Sequence, residues 1–416
     1  MVRRRALVVG LAGFIAACSG PAPASRTEAP APQPTSTPKP TSVPPTASPA
    51  SVSTPAPMAT SAATPTPQAQ VNLEVRLWNG SAEVQIDGRT IEPGQQTVDR
   101  GRHQLAALVD GEVVSLADVP PDGGTVDLVV PPPLASLAIM IENQADARPQ
   151  TGLPQADVVY EVLAEGGITR FVALYLTRDA AVVGPVRSLR HYFAFLAADY
   201  GADVVHIGAS PEGFAWRVAM NMGHLDETFG DPGVWRVRTR PPPHNAYTDT
   251  SADRGFLEAQ APARQRNHSW GPLLFSDQAP HGSVAADAIQ VRFYPWPYRV
   301  DYAWDAGQGR YLRSMEGLPH LDAGSGEQVA PATVVVQFAE VEAIPDDPKL
   351  RLDINLVGGS GPLVVFSDGG RLEGTWSKAA PRSASIWLDE QGNPLVIPPG
   401  PVWVEVVPLE SALTVA

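Results

Sequence analysis

Residues 158–176 read VVYEVLAEGGITRFVALYL. Its two apolar runs, Val158–Leu163 and Thr169–Leu176, read as strands apolar on both faces, the pattern of a sheet covered on both sides. Working outward, Ser136–Ile141 and Asp203–Ile207 have the same character. Between them Leu189, Tyr192, Phe193, Leu196 and Tyr200 recur at helical spacing. Ser210–Met222 predicts a second helix, with Ser210 as N-cap and Pro211 in the first turn. Strands interleaved with helices predict an α/β (or α+β) central domain over residues 134–275. The aperiodic stretch Gly223–His244, rich in Pro, Gly, Trp and Arg, predicts a long loop that covers or builds a site.

The flanks of this domain are β in pattern. In 71–131 apolar residues alternate at Val71, Leu73, Val75 and Leu77, then at Ala82, Val84 and Ile86. Asp87-Gly88 follows as a hairpin signal. Further short runs at His103–Val109, Glu112–Leu116 and Thr125–Val130 predict a small all-β sandwich. Residues 283–416 predict a mostly antiparallel β domain, a barrel or sandwich. Its strands are expected at Ala288–Tyr294, Arg299–Trp304, Thr333–Phe338, Arg351–Leu356, Leu363–Phe366, Ala384–Leu388 and Val402–Val407.

The N-terminus carries Arg3-Arg4-Arg5, an apolar run from Ala6 to Ala17, and then Cys18. This is the layout of an export signal over 1–17. Ile15-Ala16-Ala17-Cys18 resembles the bacterial lipobox, which implies diacylglycerol on the Cys18 thiol and cleavage before it. The chain is therefore expected to be lipid-anchored at the outer face of the cytoplasmic membrane. Residues 18–70 are dominated by Pro, Ala, Ser and Thr, too poor in large apolar groups to offset the entropy of ordering, and predict a disordered linker. Extended, it would reach about 160 Å. No other cysteine exists, which excludes internal disulfides and a catalytic thiol in the folded part, and with it an L,D-transpeptidase.

The whole chain has a formal charge of −14. Five basic residues and one acid fall in the first 70, so the rest carries −18. That balance argues against nucleic acid as a partner.

The central stretch is dense in polar motifs: Glu142-Asn143, Ala147–Leu153 (ARPQTGL), Ala156–Glu161 (ADVVYE), Glu165–Phe171 (EGGITRF) and Gly184–Arg190 (GPVRSLR). His206–Pro211 and Pro243–Thr248 continue the series. At these residues the chain resembles the YerB-like bacterial lipoproteins, a two-domain family of unknown function. Tyr311–Arg313, Gly317–His320, Gly374–Lys378 and Gly400–Trp403 resemble that family's second domain. The resemblance covers about 134–408 and implies location and layout, without an activity. The 71–131 module resembles PEGA-type surface domains at Val84–Gly88, Pro93-Gly94 and Gly101–Leu105, which implies a spacer or adhesive unit.

The chemistry rests on the residues. Arg148, Arg170, Arg187 and Arg190 fall at strand ends or turns, among Glu142, Asp157, Glu161 and Glu165. Guanidinium forks suit carboxylate or phosphate. This predicts one polar cleft for an anionic ligand, to which Asn245 is expected to contribute; the competing reading is a buried ion-pair network. Glu161, Glu165, His206 and His244 are the acid–base candidates. Ser210 lacks the Gly-x-Ser-x-Gly elbow and reads as an N-cap. No histidine spacing fits a metal, and no cofactor motif occurs. In the last module His320, Asp322 and Lys378, with Trp376 and Trp403, are a second candidate site. Three functions compete: binding of an anionic or carbohydrate envelope component, transfer or hydrolysis on a phosphorylated or glycosidic envelope polymer, and a purely structural protein–protein role. The oligomeric state is open.

Overall fold

The computed structural model describes residues 69–262 and 268–416. The signal segment 1–17, the lipobox Cys18 and the linker as far as residue 68 lie outside the described residues. Among the described residues the chain is mostly β, and no helix is long and apolar enough to cross a membrane.

The apolar runs become one 11-stranded sheet. Its order begins His224–Asp226, Asp203–His206, Leu137–Glu142, Thr169–Tyr175, Val158–Leu163. It continues directly through Val402–Pro408, Thr333–Ala339, Ser360–Ser367, Gly370–Ser377 and Val284–Ala285, with Ile386–Asp389 also paired to Gly370–Ser377. The junction is parallel: Val402–Pro408 pairs with Val158–Leu163 on one side and with Thr333–Ala339 on the other. The expected C-terminal domain is present with mostly antiparallel pairs, but it is not closed into a barrel or sandwich of its own. The C-terminal strands extend the central sheet, and both stretches bury their apolar residues in one core.

Register fixes which side chains share a face. Glu142 lies opposite Arg170, and Arg170 opposite Val162. Ile141, Phe171, Glu161 and Glu405 form the next row, which points to the other side. The helix His191–Asp199 covers the first face, where Tyr160 and Tyr200 join hydroxyls at 2.8 Å. A five-stranded sheet, from Leu318–Pro319 through Arg310–Met315, Arg299–Asp305 and Ala288–Arg292 to Ala412–Val415, supplies residues against the second.

Helix Pro211–Ala219 starts at Ser210, whose hydroxyl accepts from Gly213 N at 3.0 Å. Helix Thr250–Gln260 was not expected; its N-cap Asp249 accepts from Ser251 N and Ala252 N. Within the Gly223–His244 loop lie the short strands His224–Asp226 and Trp235–Arg236.

The N-terminal module packs a three-stranded sheet (Gly94–Asp99, Gln70–Trp78, Gly124–Val129) on a four-stranded one (Arg89–Ile91, Glu83–Ile86, Gln104–Val109, Glu112–Asp118). Leu73, Val84, Leu105 and Leu128 meet in their own core. Asp87 and Gly88 both adopt positive φ, 49° and 78°, as a tight hairpin turn demands. The strands Arg89–Ile91 and Gly94–Asp99 escaped the sequence reading because they are short and largely polar.

Candidate functional site

Strand Leu137–Glu142 ends in Glu142-Asn143, and the alternation of a strand sends these two polar groups to opposite faces. Each anchors a different network.

On the helix-covered face Glu142 accepts from Arg187 Nη2 at 2.8 Å and from His244 Nδ1 at 2.9 Å. Arg187 is placed by its backbone. Its N–H donates to Met140 O, and its carbonyl accepts from Ile207 N, so the segment is stitched between two strands. Next to it Glu165 is gripped from both oxygens: Arg170 Nη2 reaches Oε2 at 3.1 Å, and Arg190 Nε reaches Oε1 at 2.6 Å. Arg170 Nη1 also donates to Ser188 O at 3.0 Å, which props the loop that presents Arg187. Burial works against the Glu165 carboxylate, but Arg170 and Arg190 outweigh it and hold its pKa below the ordinary range. Burial and the neighbouring Arg190 and Arg187 depress Arg170. Three guanidiniums thus share two carboxylates. Arg187 keeps 24% of its side chain exposed, and its Nε has no hydrogen-bond partner.

On the opposite face Asn143 Nδ2 reaches Glu161, Thr169 and Tyr298. Arg313, fully buried, donates to Glu161, to the Tyr302 hydroxyl at 3.1 Å and to His320 Nδ1 at 2.6 Å. Tyr302 donates to Glu405, which lies beside Glu161 in the register of the parallel pair. Burial and the adjacent Glu161 push the pKa of Glu405 well up. Burial and Arg313 push His320 well down. The neutral ring then accepts at Nδ1 and donates from Nε2 to Gln150 Oε1 at 3.0 Å. This network is closed to solvent and is an internal tie between the two halves of the sheet.

The residues expected in one cleft therefore divide among three places. Arg170, Arg187, Arg190, Glu165 and His244 come together on the helix-covered face. Arg148 belongs to the other side: its Nε donates to Asn143 O, its Nη1 pairs with Glu316 at 2.7 Å, and it lies over the Tyr298 ring. Glu161 is buried with Arg313 and cannot meet a ligand in this state. His206 is also buried. Its Nδ1 lies 2.9 Å from Gly208 O and 3.5 Å from Asp226 Oδ2, and its ring stacks on His224. Burial lowers its pKa against the pull of Asp226. Asn245 supports the neighbouring loop, accepting from Arg236 Nη1 and donating to Val237 O. Asp157 is occupied by Leu176 N, Thr177 N and the Thr177 hydroxyl.

The second candidate site dissolves. His320 sits in the closed network. Asp322 accepts from Gly152 N at 2.6 Å, Lys378 is buried against Asp199 and Ser383 O, Trp376 donates to Phe338 O, and Trp403 is buried beneath Arg313. Sequence reasoning missed Arg313, Tyr302 and Glu405. A usable signal existed: Glu161 in VVYEVL and Glu405 in VWVEVVP are lone carboxylates in strands apolar on both faces, so each must find a partner inside. Among the described residues no group of three or more metal-ligating side chains converges.

Fold and site together define a β-rich, two-part protein built on one continuous sheet, with a cluster of three arginines on one face, of which Arg187 is the most exposed. Residues 131–265 match the N-terminal domain, and 289–404 the C-terminal domain, of the family described as "Protein of unknown function (DUF3048)". "Putative lipoprotein YerB" of Bacillus subtilis (strain 168) is 32% identical over 285 residues, covering 67% of this chain and 83% of that protein. A crystal structure of the YerB protein from Bacillus subtilis superposes with a TM-score of 0.57 at 29% identity, covering 67% of this chain and 93% of the other. The chain belongs to the YerB-like, DUF3048 family.

Proposed function

We propose that this protein is a lipid-anchored, extracytoplasmic binder of an anionic envelope component, held at the face built by Arg170, Arg187 and Arg190. The observation that carries this reading is the surplus of guanidinium over carboxylate, with the Arg187 side chain partly exposed and its Nε buried without a partner. A planar fork with free donors suits phosphate or carboxylate. His244, on the same Glu142, adds a further ring at the margin. The β module at 71–131 then serves as a PEGA-like spacer between anchor and binder, and the lipobox at Cys18 supplies the anchor. The name of the Bacillus subtilis relative supports that anchoring.

A glycerol-phosphate oligomer tests the reading. It should bind, and its affinity should fall as salt rises, while glycerol itself should not bind. No binding at millimolar concentration refutes the proposal. Cys18→Ser tests the anchor separately: lipid labelling should vanish and the protein should leave the membrane fraction. Retained labelling would refute the assignment.

A further inference from the structure

A groove of about 700 Å³ runs where the N-terminal module meets the rest of the chain. Two hydrogen bonds hold its edges in place: Asn79 Nδ2 donates to Leu273 O at 2.9 Å, and Phe275 N donates to Asn79 Oδ1 at 2.7 Å. Trp270 and Phe275, edge to face at 5.2 Å, form part of its wall. The Trp270 indole N–H donates to Val130 O at 3.0 Å, which fixes the ring. Pro399, Gly400 and Pro401 form the opposite side.

Two cations enter this groove, Arg178 and Arg310. Arg310 makes no ion pair or side-chain hydrogen bond with any described residue. Packing alone holds it: a Cβ on Gly400 would come within 2.6 Å of Arg310 Nη1 and 2.7 Å of Ala332 Cβ. Gly400, at φ +139°, is thus the seat of an unpaired guanidinium. Arg178 is exposed, with only a 3.4 Å contact to Pro154 O. Of the two carboxylates present, Asp157 is spent on backbone and hydroxyl donors, and Asp277 sits exposed at the rim.

We infer that this groove is a second binding site, for an acidic saccharide. Aromatic and proline walls match the apolar faces of sugar rings. The Arg310 fork matches a planar carboxylate. The volume lies in the range of small-ligand sites. The site shares no residue with the Arg187 face and stands or falls independently of it.

The test uses two hexasaccharides and the full chain. One probe alternates N-acetylglucosamine with glucuronate; the other is neutral chitohexaose. The charged probe should bind and shift the Trp270 indole N–H resonance, assigned with Trp270→Phe. Arg310→Gln should weaken it about tenfold, and Arg310→Lys should recover part of the loss. Absence of binding by the charged probe, equal binding of chitohexaose, or indifference to both Arg310 variants would overturn the inference.

Discussion

The two faces of the central sheet carry similar residues and do different work. Arg313 and Arg187 are both arginines facing a strand carboxylate. Arg313 is fully buried, with Glu161, Tyr302 and His320 taking its donors. Arg187 forms its one side-chain ion pair with Glu142, keeps part of its side chain exposed, and holds a buried Nε without a partner. One side is a closed tie; the other is the face proposed to bind. The comparison teaches that an arginine-rich motif is read by its surplus: a network that closes on itself fixes packing, and one with donors left over can take a ligand.

The sharpest way to break this comparison is Arg313→Leu. It leaves Glu161 buried beside Glu405 without a counter-charge, and should cost about 3–5 kcal/mol or prevent folding. Glu405→Gln should be far milder, because burial and Glu161 already favour the uncharged form of Glu405. Chemical denaturation of both variants checks the order. Equal losses would mean that Glu405 is ionised and shares the burden of the tie.

A smaller effect sharpens the comparison from outside both networks. Asp253 is fully buried, with the Thr248 hydroxyl against both its oxygens. Burial raises its pKa to about 7. A carboxyl with a raised native pKa favours the folded state below its unfolded pKa, and that benefit is lost as pH rises through the native value. Asp253→Asn should therefore raise the melting temperature clearly at pH 8 and by a smaller amount at pH 5, where the unfolded carboxyl is already largely ionised. A melting temperature raised equally at both pH values would show that Asp253 does not titrate in this window.

Much of this was legible in the chain. Strands such as Leu137–Glu142 and Val158–Leu163 declared themselves by apolar runs, and the Ser210-Pro211 helix start by its capping chemistry. The helix Thr250–Gln260 did not, because Ser251, Asp253, Arg254 and Glu258 break its apolar stripe; only Asp249 marked its start. Pairing of Val402–Pro408 with Val158–Leu163 is a contact distant in sequence, and local pattern carries no trace of it. The two domains were therefore legible, but not the sheet that runs through both. The site was half legible. Turn motifs singled out Arg170, Arg187, Arg190 and Glu165, which the fold brings together, since Gly and Pro neighbours fix strand ends. They also swept in Arg148 and Glu161, which face the other side, because composition near a strand end does not reveal which face a side chain takes. The period-two alternation through Glu142-Asn143 does reveal it, once strand ends are known.

The central claim is that the Arg187 face is a site and not a second tie. Arg187→Ala measures it most directly, read by melting temperature and by affinity for the glycerol-phosphate oligomer in the same preparation. A partly exposed arginine with one ion pair should cost about 1 kcal/mol or less of stability, while affinity falls about tenfold or more. A large drop in melting temperature, with wild-type and variant alike failing to bind the oligomer, would contradict the account and make this face a tie like the other.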